Sequence, residues 1–279
     1  MFKGKIKKII VSVRDAFFSG LYRHLDMQRQ KTTDEFIFQN TENRLLNIFL
    51  NLPNKVLEFF YKGVKIRAFI PNGDIDGIQK HILKTRTFYE IEFLEVLYEF
   101  VRERKGLAID VGANIGNHTL FFSKICDFTE CYSFEPNPAV AYVLRQNVKL
   151  NGLNEKVTVV ESGVGARKDV MYLGSSPQDN LGATKLHEKG FSSGRVEVIA
   201  IDDMGLTNVD FIKVDVEGMA LEVLKGARQT IITNKPILFV EIFDDQLKES
   251  MELISSLGYR LERSLEWGNY IFKWQGDHD

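Results

Sequence analysis

Cysteine, net charge and long apolar runs are all scarce in this chain of 279 residues, and each shortage excludes something. Only Cys126 and Cys131 occur, with no histidine or further cysteine at ligand spacing. A disulfide framework and a thiolate metal site are therefore excluded, and two buried or half-buried thiols in a reducing compartment are expected. A net charge of −2 gives no overall reason to expect nucleic acid as a partner. No apolar run approaches the ~20 residues of a membrane span. The N-terminus opens basic (Lys3, Lys5, Lys7, Lys8), but the apolar run that follows, Ile9 to Val13, is too short for a secretory signal, so a cytoplasmic protein is expected. Internal repeats and low-complexity segments are lacking as well. What remains, 44% hydrophobic and 27% charged, is an ordinary globular composition with length for one large domain or a core domain plus an extension.

Three regions follow from the patterning, with boundaries at 1–53, 54–106 and 107–279. In the first, Phe2, Ile6, Ile9, Ile10, Val13, Phe17, Leu21 and Leu25 form a helical stripe among lysines and arginines. Such a basic amphipathic helix can lie against an anionic membrane surface, join two copies of the chain, or cap its own domain. The polar stretch 28–34 reads as a linker or helix end, and "TENRLLNIFLNLP" as a short helix stopped by Pro53. In the second region, "VLEFFYKGVKIRAFI" predicts a β-hairpin turning at Lys62-Gly63. Helices are expected at about 78–84 and 88–103, the latter with Thr87 and Glu90 at capping-box spacing. From Leu107 onward, strands expected at 107–111, 130–134, 156–161, 209–214 and 236–242 alternate with helices near 114–126, 137–150, 217–231 and 244–256. Strands without polar alternation, each followed by a helix, imply an α/β fold with a parallel sheet covered on both faces. The end, "GYRLERSLEWGNYIFKW", predicts a closing antiparallel hairpin with its turn around Trp267-Gly268.

"AIDVGANIGNHTLFFS" runs a strand into a glycine turn and then a helix. A dinucleotide turn carries three glycines as G-x-G-x-x-G, and here Asp110 stands at the first of those positions, with only Gly112 and Gly116 remaining. The triphosphate-binding pattern fails too, since no G-K-[ST] follows. A carboxylate at the strand end is a poor neighbour for phosphate and a good one for an ammonium. S-adenosylmethionine therefore fits the turn better than NAD. Gly112 allows the tight turn, Gly116 allows the next helix to pack close to the strand, and Ala113, Asn114 and Asn117 complete the loop. Amides at the helix start can meet the cofactor carboxylate, and Asp110 its ammonium. In "SFEPNP", Glu135 closes the next strand 19 residues beyond Gly116, where it can accept hydrogen bonds from vicinal ribose hydroxyls; Pro136 stiffens the exit and Asn137 can cap the following helix.

Ligands of open parallel sheets bind beyond the carboxyl ends of the strands. Those ends supply Glu161, Ser162 and Gly163 after the third strand, expected near the adenine, then Asp215 and Glu217 after the fourth and Glu241 after the fifth. Methyl transfer to an alcohol requires the hydroxyl proton to leave, and Asp215, Glu217, Glu241 and His118 are the candidate bases. Each has a duller role. Glu217 can simply place charge at a helix N-terminus, Asp215 can be its cap, His118 can cover the cofactor, and Glu241 can pair with a lysine. The three carboxylates could also hold a divalent cation, although nothing in their spacing demands one and no metal is expected. The long, Gly- and Ser-rich segment between the third and fourth strands reads as a loop beside the site, with Asn180 and Lys185 able to meet a ligand.

Taken together, "AIDVGANIGNHTLFFS", "SFEPNP", "NVKLNG", "DFIKVDVEGMALEVLKGA" and "PILFVEIF" resemble the FkbM-type S-adenosylmethionine-dependent methyltransferases over about residues 85–275. The resemblance implies a Rossmann-like methyltransferase fold whose mostly parallel seven-stranded sheet has its last strand antiparallel. It implies O-methylation of a small-molecule or glycan acceptor, often a sugar or natural-product hydroxyl; the alternatives are methylation of a phosphate-type oxygen on a glycan and a non-catalytic cofactor-binding subunit that serves assembly. By position, Asp110, Gly112, Asn114, Gly116 and Glu135 carry over as cofactor residues, Asp215 and Glu217 as the fourth-strand motif, and Tyr89 and Glu90 as a lead-in that closes over the cofactor. Residues 1–53 fall outside the shared pattern.

Overall fold

The computed structural model describes residues 31, 40–41, 43–174, 185–187 and 194–277. The chain divides into two compact units, Met1–Asn51 and Leu52–Asp279. In the first unit, residues 40, 41 and 43–50 are helical (α1), where a helix is expected before Pro53. The amphipathic stripe at 2–25 lies outside the described residues, and of the polar stretch 28–34 only Lys31 is described, in a helix. Among the described residues no helix is long and apolar enough to cross a membrane.

The second unit opens with the hairpin of β1 (Val56–Tyr61) and β2 (Val64–Phe69), paired from Val56↔Phe69 to Tyr61↔Val64. Lys62 and Gly63 both take positive φ, 47° and 77°, which gives the turn the twist that a two-residue hairpin needs. Helices α2 (Gly77–Thr85) and α3 (Ile91–Val101) follow. The Asp76 carboxylate caps α2 by accepting from the Gln79 amide at 2.9 Å. The capping box expected for α3 does not form. Glu90 sits in the left-handed region at φ 56° with no side-chain cap bond, so α3 starts only at Ile91. The Glu90 carboxylate faces a cavity instead.

The main sheet has seven strands: β3 (Leu107–Val111), β4 (Glu130–Phe134), β5 (Val157–Val160), β10 (Val209–Val214), β11 (Ile237–Glu241), β12 (Tyr259–Ser264) and β13 (Asn269–Trp274). Their order is β12-β13-β11-β10-β3-β4-β5. Neighbours pair in parallel except around β13, which is antiparallel to both β11 and β12. This is the expected Rossmann-like methyltransferase sheet. Every residue of β3 is buried, as suits a central strand covered on both faces. Ile109, Phe134, Ile212, Leu238 and Val240 lie in one apolar cluster, each no more than 1% exposed. From β3 the chain winds outward through β4 and β5, then returns to place β10 on the other side of β3. That reversal opens a crevice at the carboxyl ends of β3 and β10.

The helices of this layer are α4 (Asn117–Lys124), α5 (Pro138–Leu150), α6 (Ala220–Gly226), α7 (Arg228–Asn234) and α8 (Leu247–Ser256). The single helix expected at 217–231 is two. A Cβ on Gly226 would lie 1.9 Å from the Gly165 carbonyl oxygen, so α6 ends against backbone. Then Asp202 restarts the helix by accepting from the Gln229 and Thr230 amides at 2.9 and 2.8 Å. The hairpin edge is pinned to α5 by two asparagines one turn apart. Asn147 Oδ1 accepts from the Phe69 amide at 2.6 Å, and Asn151 Oδ1 from the Arg67 amide at 3.0 Å.

Between β5 and β10, where a loop is expected, lies a second sheet. It comprises β6 (Gly163–Val164), β7 (Asp169–Leu173), β8 (Leu186–His187) and β9 (Arg195–Ile199), ordered β6-β9-β7-β8. Within β9, buried Val196 and Val198 alternate with exposed Arg195 and Glu197, the period-two pattern of a half-buried strand. Asn180 lies outside the described residues.

Candidate active site

The crevice holds a cavity of about 310 Å³. Its floor is the turn between β3 and α4. The Gly112 and Ala113 amides both donate to the Phe134 carbonyl, at 3.0 and 2.9 Å, tying this turn to the end of β4. Gly112 is required twice over. Its φ is 76°, and a Cβ there would lie 1.8 Å from the Asp215 carbonyl oxygen. Gly116, at φ 88°, makes room for a different element than expected, because its Cβ would meet Leu144 Cδ1 of α5 at 2.5 Å rather than the strand. Helix α4 likewise begins at Asn117, not at 114, and no side chain caps it. Asn117 and His118 of its first turn line the cavity.

Glu135 is nearly fully buried and pre-oriented: its Oε2 accepts from the Asn114 amide at 3.0 Å and its Oε1 from the Asn137 amide at 2.8 Å. Burial raises its pKa to about 7, against the lowering effect of those two amides. Asn114 holds its own left-handed turn at φ 51°, its Oδ1 accepting from the Ile115 amide at 2.7 Å. Asn117 uses its side chain to fasten the lead-in segment. It accepts from the Tyr89 amide at 2.9 Å and donates to the Tyr89 carbonyl at 3.0 Å. Tyr89 and Glu90 thereby become a wall of the cavity.

A residue absent from the sequence expectations organises the centre. Lys213 lies on β10, opposite Asp110 in the β3–β10 register, and is 1% exposed. Its ammonium donates to the Gly112 carbonyl at 2.9 Å and pairs with Asp110 Oδ1 at 3.1 Å and Asp215 Oδ2 at 3.3 Å. Burial works against the charged lysine, but the two carboxylates more than offset it and hold its pKa above the ordinary value. Asp110 is fully buried and also accepts from the Thr119 hydroxyl at 2.6 Å. It does not line the cavity, so the ammonium it meets in this fold is that of Lys213. Asp215 is no helix cap either, because α6 begins five residues later at Ala220.

Four carboxylates, Glu90, Asp215, Glu217 and Glu241, line the cavity together with Lys213. Burial, then the charge of Asp215, raises Glu90 to about 7 and Glu241 to about 8, with Glu217 adding to the latter. Glu217, at φ 50°, is raised in the same way, Lys185 partly opposing. No lysine forms an ion pair with Glu241 among the described residues; the charge of Lys213 only partly opposes the two acids beside it. His118 Nε2 lies 3.6 Å from Glu90 Oε2, and burial and the Lys213 charge push the imidazole down to about 3, so it is neutral. That Nε2, and the Ser162 hydroxyl beside Gly163, are buried without a hydrogen-bond partner. Both residues face the cavity, as do Pro136 and Gly163. Glu161 does not; it turns away to pair with Arg145. Lys185 lies with its ammonium 5.4 Å from the Phe243 ring centre rather than on the cavity wall. Among the described residues no group of three or more His, Cys, Asp or Glu is arranged to hold a metal ion. Cys126 and Cys131 are free and buried, their thiols pushed up to about 12 by burial.

Residues 110–261, which carry the glycine turn, Glu135, Lys213 and the strand-end acids, match the sequence model of the methyltransferase FkbM domain. The chain belongs to this family. Two curated relatives align with it: methyltransferase sdnD of Sordaria araneosa, 28% identical over 42% of this chain and 59% of its own, and the 2-O-methyltransferase NoeI of Sinorhizobium fredii, 26% identical over 50% and 65%. The chain thus spans about three fifths of the length of those relatives. Among solved structures, an FkbM methyltransferase from Methylobacillus flagellatus aligns over 71% of this chain and 53% of its own, at 19% identity and a TM-score of 0.45.

The donor set of this FkbM-family cavity fits S-adenosylmethionine on its chemistry. Crowded carboxylates are relieved by a ligand carrying an ammonium and a sulfonium, Glu135 offers acceptor capacity to a diol, and two orphaned polar atoms await partners. Sequence patterning pointed to most of these residues, but not to Lys213, and to Trp267 only as a turn residue; both line the cavity. A lysine inside the otherwise apolar "FIKV" of a central strand was the available signal, since a buried ammonium demands a buried acid.

Proposed function

We propose that this protein methylates a hydroxyl oxygen of a sugar, glycan precursor or natural product, using S-adenosylmethionine. The cofactor, when bound, supplies an electrophilic methyl group on a sulfonium. Glu135 accepts from the ribose hydroxyls, the turn from Gly112 to Asn117 receives the amino-acid tail, and Ser162 and Gly163 border the base. Tyr89 and Glu90, clamped by Asn117, exclude water from the reacting centre.

The observation that carries the oxygen-acceptor reading is the group of acids at the strand ends. An alcohol must lose its proton as the new C–O bond forms, and a general base works best with a pKa near the working pH. Glu241, held near 8 by burial and by Asp215, meets that condition. Asp215 is committed to Lys213. Neutral His118 is too weak a base and serves as a hydrogen-bonding wall. A phosphate-type acceptor is disfavoured because Lys213, the cation lining the cavity, is already paired with Asp110 and Asp215. That one relative is named a 2-O-methyltransferase supports oxygen as the methylated atom.

Calorimetry with S-adenosylhomocysteine tests the cofactor half. Wild-type protein is expected to bind it, and Glu135→Gln to bind it about 10- to 100-fold more weakly, the loss of hydrogen bonds to a charged acceptor. Absence of binding by folded wild-type protein, or binding of NAD in its place, refutes it. Mass spectrometry of hydroxylated glycosides incubated with S-adenosylmethionine reads out the acceptor half.

A further inference from the structure

Trp267 is 69% exposed, yet it lines the cavity. It sits in the turn between β12 and β13 at φ 56°, a conformation costly for a bulky aromatic residue. The turn itself is well anchored. The Ile242 amide, directly after Glu241, donates to the Gly268 carbonyl at 2.8 Å. A Cβ on Gly268 would fall 2.7 Å from the Ile242 carbonyl oxygen. The indole is also braced, edge to face, by Phe93 of α3 at 5.4 Å and 66°. A large apolar face is therefore held out at the cavity mouth, in a fixed position beside Glu241, where solubility and backbone strain both argue against it. Deeper in the same cavity His118, only 7% exposed, presents an Nε2 without a partner.

We propose that Trp267 is the acceptor platform: one face of a neutral pyranose ring stacks on its indole, while Glu217, Glu241 and His118 receive the ring's hydroxyls. The face of an aromatic ring is electron-rich and attracts the weakly positive C–H bonds along the apolar face of a sugar. Carboxylates accept hydroxyl hydrogen bonds, and an acceptor whose edges are all hydroxyl satisfies several at once. An anionic acceptor is disfavoured because Lys213, the cation lining the cavity, is already paired with Asp110 and Asp215. A cationic acceptor would suit the acids and the indole, but it would have to share the cavity with the cofactor sulfonium, so the neutral polyol is favoured. This assignment rests on the methyltransferase reading and adds to it the class of acceptor and the residue that selects it.

The test uses the full chain saturated with S-adenosylhomocysteine and ligand-observed NMR titrations of methyl pyranosides in the gluco, galacto, manno and fuco series. Methyl glucosaminide serves as the cationic probe and glucose 6-phosphate as the anionic one. At least one neutral pyranoside is expected to bind saturably. Trp267→Ala should weaken it about tenfold or more and Trp267→Phe distinctly less, with S-adenosylhomocysteine affinity unchanged in both variants. Unchanged pyranoside affinity in Trp267→Ala overturns the platform while leaving the methyltransferase reading intact. So does binding confined to a charged probe, or no pyranoside binding by protein that takes up S-adenosylhomocysteine. Failure of wild-type protein to bind S-adenosylhomocysteine removes the underlying reading, and the platform falls with it.

Discussion

Replacing Lys213 by Met removes the buried cation that pairs with Asp110 and Asp215 while nearly keeping its volume. Asp110, fully buried, keeps its bond from the Thr119 hydroxyl but loses the ammonium 3.1 Å away. Asp215 loses its pairing at 3.3 Å too, but its side chain is 38% exposed and water can take over. The cost therefore falls on Asp110. Breaking a buried pair by removing one partner destabilises by about 3–5 kcal/mol. For a unit of this size that corresponds to roughly 6–20 °C in Tm. The loss must depend on pH in one direction. Lys213 also opposes the raised pKa values of Glu90, Glu135 and Glu241, so its removal lifts all three further above their unfolded values. Between the unfolded and folded pKa values of these carboxyls the folded state holds protons that the unfolded state lacks, so stability falls as pH rises. Thermal unfolding of cofactor-free wild-type and Lys213→Met protein, followed by circular dichroism at pH 5 and 8.5, should show a larger deficit at 8.5. Adding Asp110→Asn should restore part of it at both pH values. A deficit below about 1 kcal/mol, or one that Asp110→Asn does not reduce, refutes the claim that Lys213 neutralises Asp110.

The strand-end acids and the glycine turn can be probed in the same way. Glu241→Gln should lower kcat by about 10²- to 10⁴-fold, the usual worth of a general base. In the wild-type enzyme kcat/KM should rise with pH up to about 8, as Glu241 ionises, and the variant should lack that limb. A pH–rate profile unaltered in shape rules Glu241 out. Because its folded pKa lies above the unfolded one, Glu241 takes stability away as pH rises through that window, so the variant should be more stable at pH 8.5, by about 1 kcal/mol after allowing for its partial exposure. Gly112→Ala should destabilise by several kcal/mol and abolish S-adenosylhomocysteine binding, since its Cβ would penetrate the Asp215 carbonyl. Gly152→Ala, with φ 70° and nothing within 4 Å, should cost only about 1–2 kcal/mol in denaturant titration. Equal costs for the two would show that left-handed φ alone governs both.

Much of the fold is written in local pattern. Apolar strands without polar alternation announce a parallel sheet, and each proves to be a strand within a residue or two of the expected bounds. The hairpin at Lys62-Gly63 and the glycine turn at Gly112 are equally local, because positive φ and short-range sterics leave few alternatives. The helix bounds are less so. Thr87 and Glu90 carry a good capping signature, but Asn117 clamps Tyr89 from another element and Glu90 is drawn to the cavity. A small sheet between β5 and β10 was masked by glycine and serine, whose turn-forming character hides the short alternation of β9.

From sequence alone come the family and most residues of the cavity, because strand-end positions place side chains at one edge of a parallel sheet whatever the rest does. Which acid is structural and which is free for chemistry is a tertiary matter. The β3–β10 register sets Lys213 opposite Asp110, about a hundred residues away in the chain, and turns an expected cofactor ligand into a buried counter-ion. The same packing crowds Glu241 against Asp215 and brings Trp267, from the last hairpin, onto the wall of the same cavity. Charge pairing and desolvation act through space over a few ångströms, and only the folded chain decides which residues are that close.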